Sequence, residues 1–564
     1  MDGEHFEAVV IGSGFGGSVM TYRLSEAGLR VCLLERGKAY PPGSFPRSPH
    51  RMKHNFWNPS ERLYGLYNLW SFSKLRAVVS SGLGGGSLIY ANVLIRKDEK
   101  WFVEEDLGTG KRWDWPVQYT DLDCHYERVE QMLDAQEYPF HLAPYNETPK
   151  TNEFKAAAEQ RGLDWSLPNL AVTFANKGKK PVPGQPIYEA EDRRNLHNLT
   201  RLTCRLVGEC DIGCNFGSKN SLDYNYLSEA NRLGAKINTL CEVQEFEPLP
   251  GRGYAIHYAQ RDELDPDREQ QITITADRLI ISAGTFGSTY LLLKMKRRNA
   301  LPGISRRLGT RFNSNGDLIT FALKCSKRDP SGDLIPRVIE AGYGPVITST
   351  VRVADKEDGG EGRGFYVQDA GYPEFMDWML NIVDTPSAVQ SWWYEIRRHL
   401  ADKWLNRLPE TDVGAEVSRL LGKGELSAGS LPLLGMGRDI PDGRLRLRGE
   451  KLDLDWSLEN SKEYFDGVKE KMREIAESLG AKRFVDNLAH YLITVHPLGG
   501  CPMGRGPEEG VVDSCGAVFG HEDLYVADGS VMPGPVGPNP SLTIAALADR
   551  SADHIIARHR GEVG

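Results

Sequence analysis

Apolar positions along the chain follow two periods, 2 and about 3.6, interrupted by short fully apolar runs. Residues 6–11 form a short β-branched run. After it come Gly12-Ser13-Gly14-Phe15-Gly16-Gly17, a helical stretch over 18–27 closed by Gly28, and a second apolar run over 31–34 ending at Glu35. Strand, tight turn, helix and strand within about 30 residues predict a βαβ unit. Period-2 alternation over 242–248 and 252–259 predicts a hairpin or meander, and 279–282 reads as a fully apolar strand with Gly284 opening a turn into a helix. Alternation resumes over 319–324 and 346–353. Helical spacing marks 120–133 and 152–162, and 462–479 is an amphipathic helix ending at Gly480. The C-terminus reads as strand (524–527), turn, proline-rich loop and helix (542–556).

Two stretches depart from these patterns. Residues 40–74 are rich in Pro, Asn, Trp and Tyr and read as an irregular insertion. Residues 375–408 combine partial helical spacing with Phe375, Trp378, Trp392, Trp393 and Trp404. That segment is a helix packed on a sheet, or an apolar rim for a hydrophobic ligand that touches a membrane surface transiently.

The 564 residues allow two or more large cores, and 40% hydrophobic with 26% charged residues is ordinary for a globular protein. A net charge of −9 with no basic stripe argues against nucleic acid as a partner. No apolar run reaches the roughly 20 residues of a membrane span. The chain starts Met1-Asp2-Gly3-Glu4-His5 with no basic leader, which points to the cytoplasm. Nine cysteines, an odd number thinly spread, fit a reducing compartment.

The first glycine loop carries the strongest local chemistry. Gly12 permits the tight turn, Gly14 lets a pyrophosphate approach the backbone, and Gly17 lets helix and strand pack closely. The helix N-terminus offers unpaired N–H groups to phosphate, and Glu35 can accept from an adenosine ribose. NAD and FAD both fit this unit. The strand ending at Asp528-Gly529 suits the ribityl–phosphate half of FAD, or is an ordinary strand-end turn.

Five ordered motifs narrow the choice. They are Val9 to Gly17; Gly82-Leu83-Gly84-Gly85-Gly86-Ser87 with Asn92; Ile281-Ser282-Ala283-Gly284-Thr285; Val495-His496-Pro497-Leu498-Gly499-Gly500-Cys501; and Asp528-Gly529-Ser530 through Asn539-Pro540-Ser541-Leu542-Thr543. In these the chain resembles the glucose–methanol–choline (GMC) oxidoreductase family, nearest its cholesterol-oxidase-like branch. The resemblance implies an α/β fold joined to an antiparallel sheet: a Rossmann-like FAD domain of discontinuous segments (1–40, 75–119, 205–318, 495–564) and a substrate domain with insertions (41–74, 120–204, 319–494), its large sheet covered by helices. It implies cofactor contacts at Gly12, Gly14, Phe15, Gly16, Gly17, Glu35, Arg36, Gly82, Gly85, Gly86, Ser87, Asn92, Val243, Ala283, Gly284, Asp528, Gly529, Asn539, Pro540 and Ser541. Some family members tether flavin through a histidine after the second glycine loop; here Ser87-Leu88-Ile89-Tyr90 offers none, so FAD is expected to be non-covalent.

Alcohol oxidation needs an O–H proton removed while hydride passes to the flavin. Histidine suits the proton because it titrates near neutrality, and an asparagine amide can hold the oxygen without titrating. The resemblance assigns these roles to His496 and Asn539, the latter stiffened by Pro538 and Pro540. Cholesterol oxidases of this kind carry a glutamate base on a strand of the substrate domain. The matching segment here is Tyr366-Val367-Gln368-Asp369, which puts Gln368 at that place, or Asp369 after a slip of one residue. Only one of the two can face the flavin.

Cys204, Cys210 and Cys214 lack the spacing of paired metal knuckles and read as buried thiols, with a distant Cys241 the alternative fourth ligand, so no metal centre is expected. Lys219 and Asn220 read as parts of a structural turn. The expected activity is oxidation of a hydrophobic alcohol, a sterol among the candidates, with oxygen or another electron acceptor. The alternatives are a non-redox lyase on the same scaffold and an electron-transfer dehydrogenase serving a protein or quinone.

Overall fold

A computed structural model describes residues 3–47, 53–105, 112–190, 194–262, 265, 268–372, 429–486 and 492–562. The aromatic stretch 375–408 lies outside them.

The first apolar runs become the parallel strands His5–Ile11 and Val31–Leu34. They lie in a seven-stranded sheet with Lys236–Asn238 beyond the second strand and Glu269–Ile281 beside the first. The long strand Glu269–Ile281 does two jobs. Its N-terminal half pairs with Tyr254–Arg261, which continues to Cys241–Pro248 as the expected meander, while its C-terminal end pairs in parallel with Leu524–Val526. Both chain ends thereby meet in one sheet. All four residues of Val31–Leu34 and all three of Leu524–Val526 are buried, as strands covered on both faces require.

The first helix runs Phe15–Glu26 and so starts three residues before the expected 18. Glycines inside its first turn are poor helix formers, but packing decides here. A Cβ on Gly16 would lie 1.5 Å from Ala527 O, and one on Gly17 would lie 1.9 Å from Gly12 O.

A second seven-stranded sheet is antiparallel throughout. Its order is Asp164–Ser166, Thr350–Val353, Phe365–Asp369, Leu431–Gly437, Leu318–Arg328 and Leu334–Pro336, with Ala481–Asp486 also pairing Leu318–Arg328. Helix Lys462–Ser478 covers one face and buries Tyr464, Phe465, Val468, Met472 and Ile475 at helical spacing. Each such side chain contributes about 1.5–3 kcal/mol when fully buried. Registers Ile319↔Leu434 and Phe321↔Pro432 set those four side chains on the opposite face, toward a cavity.

Two readings need correction. The strand expected over 346–353 is only Thr350–Val353. Residues 346–349 leave the ladder because Asp369 Oδ1 accepts the N–H groups of Thr348 (3.0 Å) and Ser349 (2.7 Å), replacing strand partners. The insertion over 40–74 is not wholly irregular: Tyr67–Ser71 pairs with Leu75–Ser80, and Leu492–Thr494 adds to the latter in parallel. That hairpin straddles the expected domain boundary at residue 74. No helix of the described residues is long and apolar enough to cross a membrane.

Candidate active site

A cavity of about 1460 Å³ runs from the turn after the first strand to the inner face of the antiparallel sheet. At one end, Gly12, Gly14, Phe15 and Gly16 line it together with Glu35, Arg36, Val243, Ala283 and Gly284. Further along come Gly85, Gly86, Asn92, Asp528, Gly529, Pro540 and Ser541, and then His496 and Asn539. Gly17, Gly82 and Ser87 do not line it. Gly17 packs on Gly12, a Cβ on Gly82 would meet Leu88 at 2.7 Å, and the Ser87 hydroxyl donates to Gly84 O while accepting from Leu222 N–H. These three support the wall from behind.

The lining suits a dinucleotide. Gly12 has φ +95, and a Cβ there would strike Ser282 O at 2.4 Å, so the turn admits only glycine. Gly14 and Gly284 have nothing within 4 Å of their missing Cβ positions and leave the backbone open to a ligand. The helix behind Gly14 presents the N–H groups of its first turn without intrahelical partners. Both amide atoms of Asn92 and the hydroxyl of Ser541 are buried without a partner. Such orphaned polar atoms in a cavity wall call for a polar ligand.

Glu35 does more than await a ribose. Its Oε2 accepts from Ser13 N–H (3.0 Å) and from the Ser13 hydroxyl (2.6 Å), and its Oε1 accepts from Gly37 N–H at 2.8 Å. One lone pair of Oε1 remains for a ligand hydroxyl. Asp528 is likewise engaged, accepting from Gly284 N–H at 2.9 Å, Ser530 N–H at 2.8 Å and the Ser288 hydroxyl. It ties the last strand to the helix that begins at Gly284, and burial pushes its carboxyl above the usual range.

His496 follows the short strand Leu492–Thr494. Its Nδ1 lies 2.8 Å from Asp317 Oδ1, and Asp317 Oδ2 accepts the N–H groups of Val495 (2.8 Å) and His496 (3.1 Å). A carboxylate accepts only, so Nδ1 carries the proton and Nε2 of the neutral ring keeps its lone pair. Asp317 was missed by the sequence reading. Nothing in a lone Asp before the strand Leu318–Arg328 announces a partner 179 residues away.

Asn539 faces the same space. Its Oδ1 accepts from Gln368 Nε2 at 2.8 Å, while the return contact from Asn539 Nδ2 to Gln368 Oε1 is 3.5 Å. With Oδ1 engaged, Nδ2–H is the group left to meet a ligand oxygen. The register settles which residue of the strand Phe365–Asp369 turns inward. Gln368 pairs with Leu434, on the cavity side, and Asp369 pairs with Leu433, on the helix side. Asp369 is occupied by Thr348 and Ser349, and burial raises its carboxyl above the usual range although Lys150 opposes this.

Cys204 and Cys210 are buried and Cys214 is half-buried; burial pushes the first two thiols up. Cys241 lies in the other sheet, on the strand Cys241–Pro248. Lys219 is buried and donates to Leu88 O and Cys210 O, tying the second glycine loop to the cysteine segment. Among the described residues, the single cluster of metal-type ligand atoms is His125, Asp549 and Asp553, and Arg23 and Arg128 pair with its carboxylates.

Family models described as GMC oxidoreductase match residues 190–311 and 447–548, and one described as an NAD(P)-binding Rossmann-like domain matches residues 10–45. A cholesterol oxidase of Mycobacterium tuberculosis is 28% identical, covering 97% of this chain and 90% of that one. A cholesterol oxidase of Acinetobacter baumannii is 26% identical, covering 98% and 95%. The crystal structure of pyridoxine 4-oxidase from Mesorbium loti superposes with a TM-score of 0.57 over 97% of this chain and 98% of that one, at 15% identity, and so shares the fold.

Proposed function

The chain belongs to the GMC oxidoreductase family, FAD enzymes acting on CH–OH groups, and on that premise we propose that it oxidises a hydrophobic alcohol, a sterol among the candidates, with His496 as base and Asn539 as oxygen anchor. The observation that carries this reading is the convergence of a base and an amide donor on one cavity, opposite a wall built from Ile319, Phe321, Pro432 and Leu434. Such a wall offers no hydrogen bonds to a sugar and rewards an apolar carbon frame.

Asn539 Nδ2 donates to the alcohol oxygen and fixes the carbinol, and His496 Nε2 takes the hydroxyl proton as the C–H bond breaks. FAD held by Gly12, Gly14, Glu35, Ala283 and Gly284 would supply the two-electron acceptor, while His496 holds the proton and Asn539 the oxygen that becomes the carbonyl. Gln368, a neutral amide, cannot serve as base and instead orients Asn539. FAD is expected to be non-covalent, because Ser87-Leu88-Ile89-Tyr90 after the second glycine loop contains no histidine.

The test is an anaerobic screen of sterols, long-chain alcohols, aromatic alcohols and sugars for bleaching of the flavin. Apolar alcohols should bleach it and sugars should not. Reduction by sugars alone, or by no alcohol at all, would sink the proposal.

A further inference from the structure

Four successive carbonyls lead into Asn539, and two side chains from distant parts of the chain hold all four. Lys97 Nζ donates to Pro535 O at 2.9 Å and to Val536 O at 3.0 Å. Asn315 Nδ2 donates to Gly537 O at 3.3 Å and to Pro538 O at 3.0 Å, and Asn315 Oδ1 accepts from Gly537 N–H at 2.9 Å. The loop rests on Trp101: Gly537 has φ +102, and a Cβ there would come within 2.4 Å of the indole ring. Gln368 then fixes the Asn539 amide itself.

Both holding residues are unusual where they stand. Lys97 is fully buried, with Nζ 4.3 Å from the Trp115 ring centroid, and burial pushes its pKa well below the usual lysine range. A buried amino group left without acceptors destabilises the fold, so the two carbonyls that accept from Lys97 Nζ are held in place by its need for partners. Asn315 is also fully buried and sits at φ +53 in a tight turn over 313–317. Asp439 clamps that turn, accepting from Ser314 N–H and the Ser314 hydroxyl, both at 2.8 Å, and from Gly316 N–H at 3.0 Å. Two residues after Asn315, the same turn delivers Asp317 to His496.

We propose that Lys97 and Asn315 are positioning residues for Asn539, and that the 313–317 turn is the common frame that fixes Asn539 relative to His496. The proposal rests on the reading of His496 and Asn539 as the reacting pair. Its physical basis is that the alcohol must be held by two groups from separate segments at once. A displacement of about 1 Å in either can cost on the order of 100-fold in rate without weakening substrate binding.

The experiment compares holoenzyme variants Asn315→Ala, Lys97→Met, Asn539→Ala and Asn315→Ala/Asn539→Ala. Anaerobic stopped flow, with the alcohol that bleaches the flavin best, gives the limiting reduction rate and the substrate Kd separately. Hydrogen exchange over 535–539 reports the loop directly. Asn315→Ala and Lys97→Met should each slow the limiting rate by about 10-fold or more while Kd moves by less than about 2-fold. Asn315→Ala should also speed exchange of the Gly537 amide. In the Asn539→Ala background the Asn315 effect should shrink to about 2-fold or less. Equal effects of Asn315→Ala in both backgrounds, or a change confined to Kd, would overturn the proposal. Should Asn315→Ala fail to take up FAD, Asn315→Asp keeps the acceptor for Gly537 N–H, removes both donors, and must show the same rate loss. If Asn539→Ala is slow but Asn315→Ala and Lys97→Met react at the wild-type rate, only the positioning claim falls. If Asn539→Ala itself reacts at the wild-type rate, the catalytic reading falls and takes this one with it.

Discussion

At His496 the useful tautomer is chosen by a residue 179 positions away. Asp317 holds Nδ1–H, so Nε2 is the nitrogen that can accept a proton. His496→Ala should slow flavin reduction by about 10²–10⁴, the usual contribution of a positioned acid–base group. Asp317→Asn tests the tautomer: an amide that turns its NH₂ toward Nδ1 leaves Nε2 protonated and without a base. It should lose a substantial part of the His496→Ala effect, and combining the two changes should cost little more than His496→Ala alone. Gln368→Ala should cost less than either, because it loosens Asn539 without removing the base. Stopped-flow reduction by the best alcohol reads all four variants; a wild-type rate for His496→Ala would exclude it as the base. Glu35 is a second test at this scale. Glu35→Ala should lower FAD affinity by roughly 10- to 100-fold, the worth of hydrogen bonds to a charged group, and the loss of its bonds to Ser13 and Gly37 adds to the effect of the missing ribose acceptor. Unchanged affinity in a flavin titration would remove Glu35 from the site. That His496, Asn539 and Glu35 lie along one cavity was legible because local motifs carry them. Asp317 was not, because its role arises from a contact between segments that the sequence keeps apart.

Elements were legible where periodicity alone decides them and illegible where side chains replace backbone partners. The helix Lys462–Ser478 and the meander Cys241–Pro248/Tyr254–Arg261 follow their patterns closely. The early start of helix Phe15–Glu26 and the loss of strand over 346–349 follow from contacts with Ala527 and Asp369, which no local pattern encodes. Likewise Gln368 and Asp369 could not be told apart until pairing with Leu431–Gly437 fixed the register. The sheet face makes its own prediction. Phe321 faces the cavity, so Phe321→Ala should raise the Kd of a bulky apolar alcohol by about 10-fold, as expected for roughly 1.5 kcal/mol of lost burial, with little change in the limiting reduction rate. Equal loss for small and bulky alcohols would place Phe321 away from the substrate. The turn clamped by Asp439 predicts a pH effect. Burial, with the nearby charge of Asp317 adding to it, pushes this carboxyl up to about 7 in the folded protein, whereas an unfolded Asp titrates near 3.9. A raised folded value means that the proton stabilises the fold. That contribution is complete below about pH 4 and is lost as pH rises through about 7. Asp439→Asn should therefore be more destabilising at pH 5 than at pH 8 when both proteins are unfolded in urea; the reverse order would show that Asp439 is not protonated in the fold at pH 5.

Across the whole molecule, the cavity gathers residues from both ends of the chain. Gly12 and Glu35 come from the first strands, Asn92 from the second glycine loop, Val243 and Gly284 from the middle, and Asp528 through Ser541 from the end. The five motifs made this gathering legible in outline, because family order fixes which segments meet. The hairpin Tyr67–Ser71/Leu75–Ser80, which binds both sides of the expected boundary at residue 74, was not legible, since its strands lie in a stretch with no clean period. A ligand bound by so many separated segments stabilises the folded chain by mass action. For a dissociable flavin the gain should be about 2.7 kcal/mol at 100 times its Kd and about 4.1 at 1,000 times. Tm should therefore climb steadily with added FAD once the protein has been stripped of flavin. Acid precipitation should release the yellow colour into the supernatant, because Ser87-Leu88-Ile89-Tyr90 contains no histidine to form a tether. The two measurements guard each other. Colour that resists stripping and stays in the washed pellet would mean a covalent flavin attached elsewhere in the chain. A Tm that ignores FAD in a colourless protein would mean that the cavity holds a different cofactor.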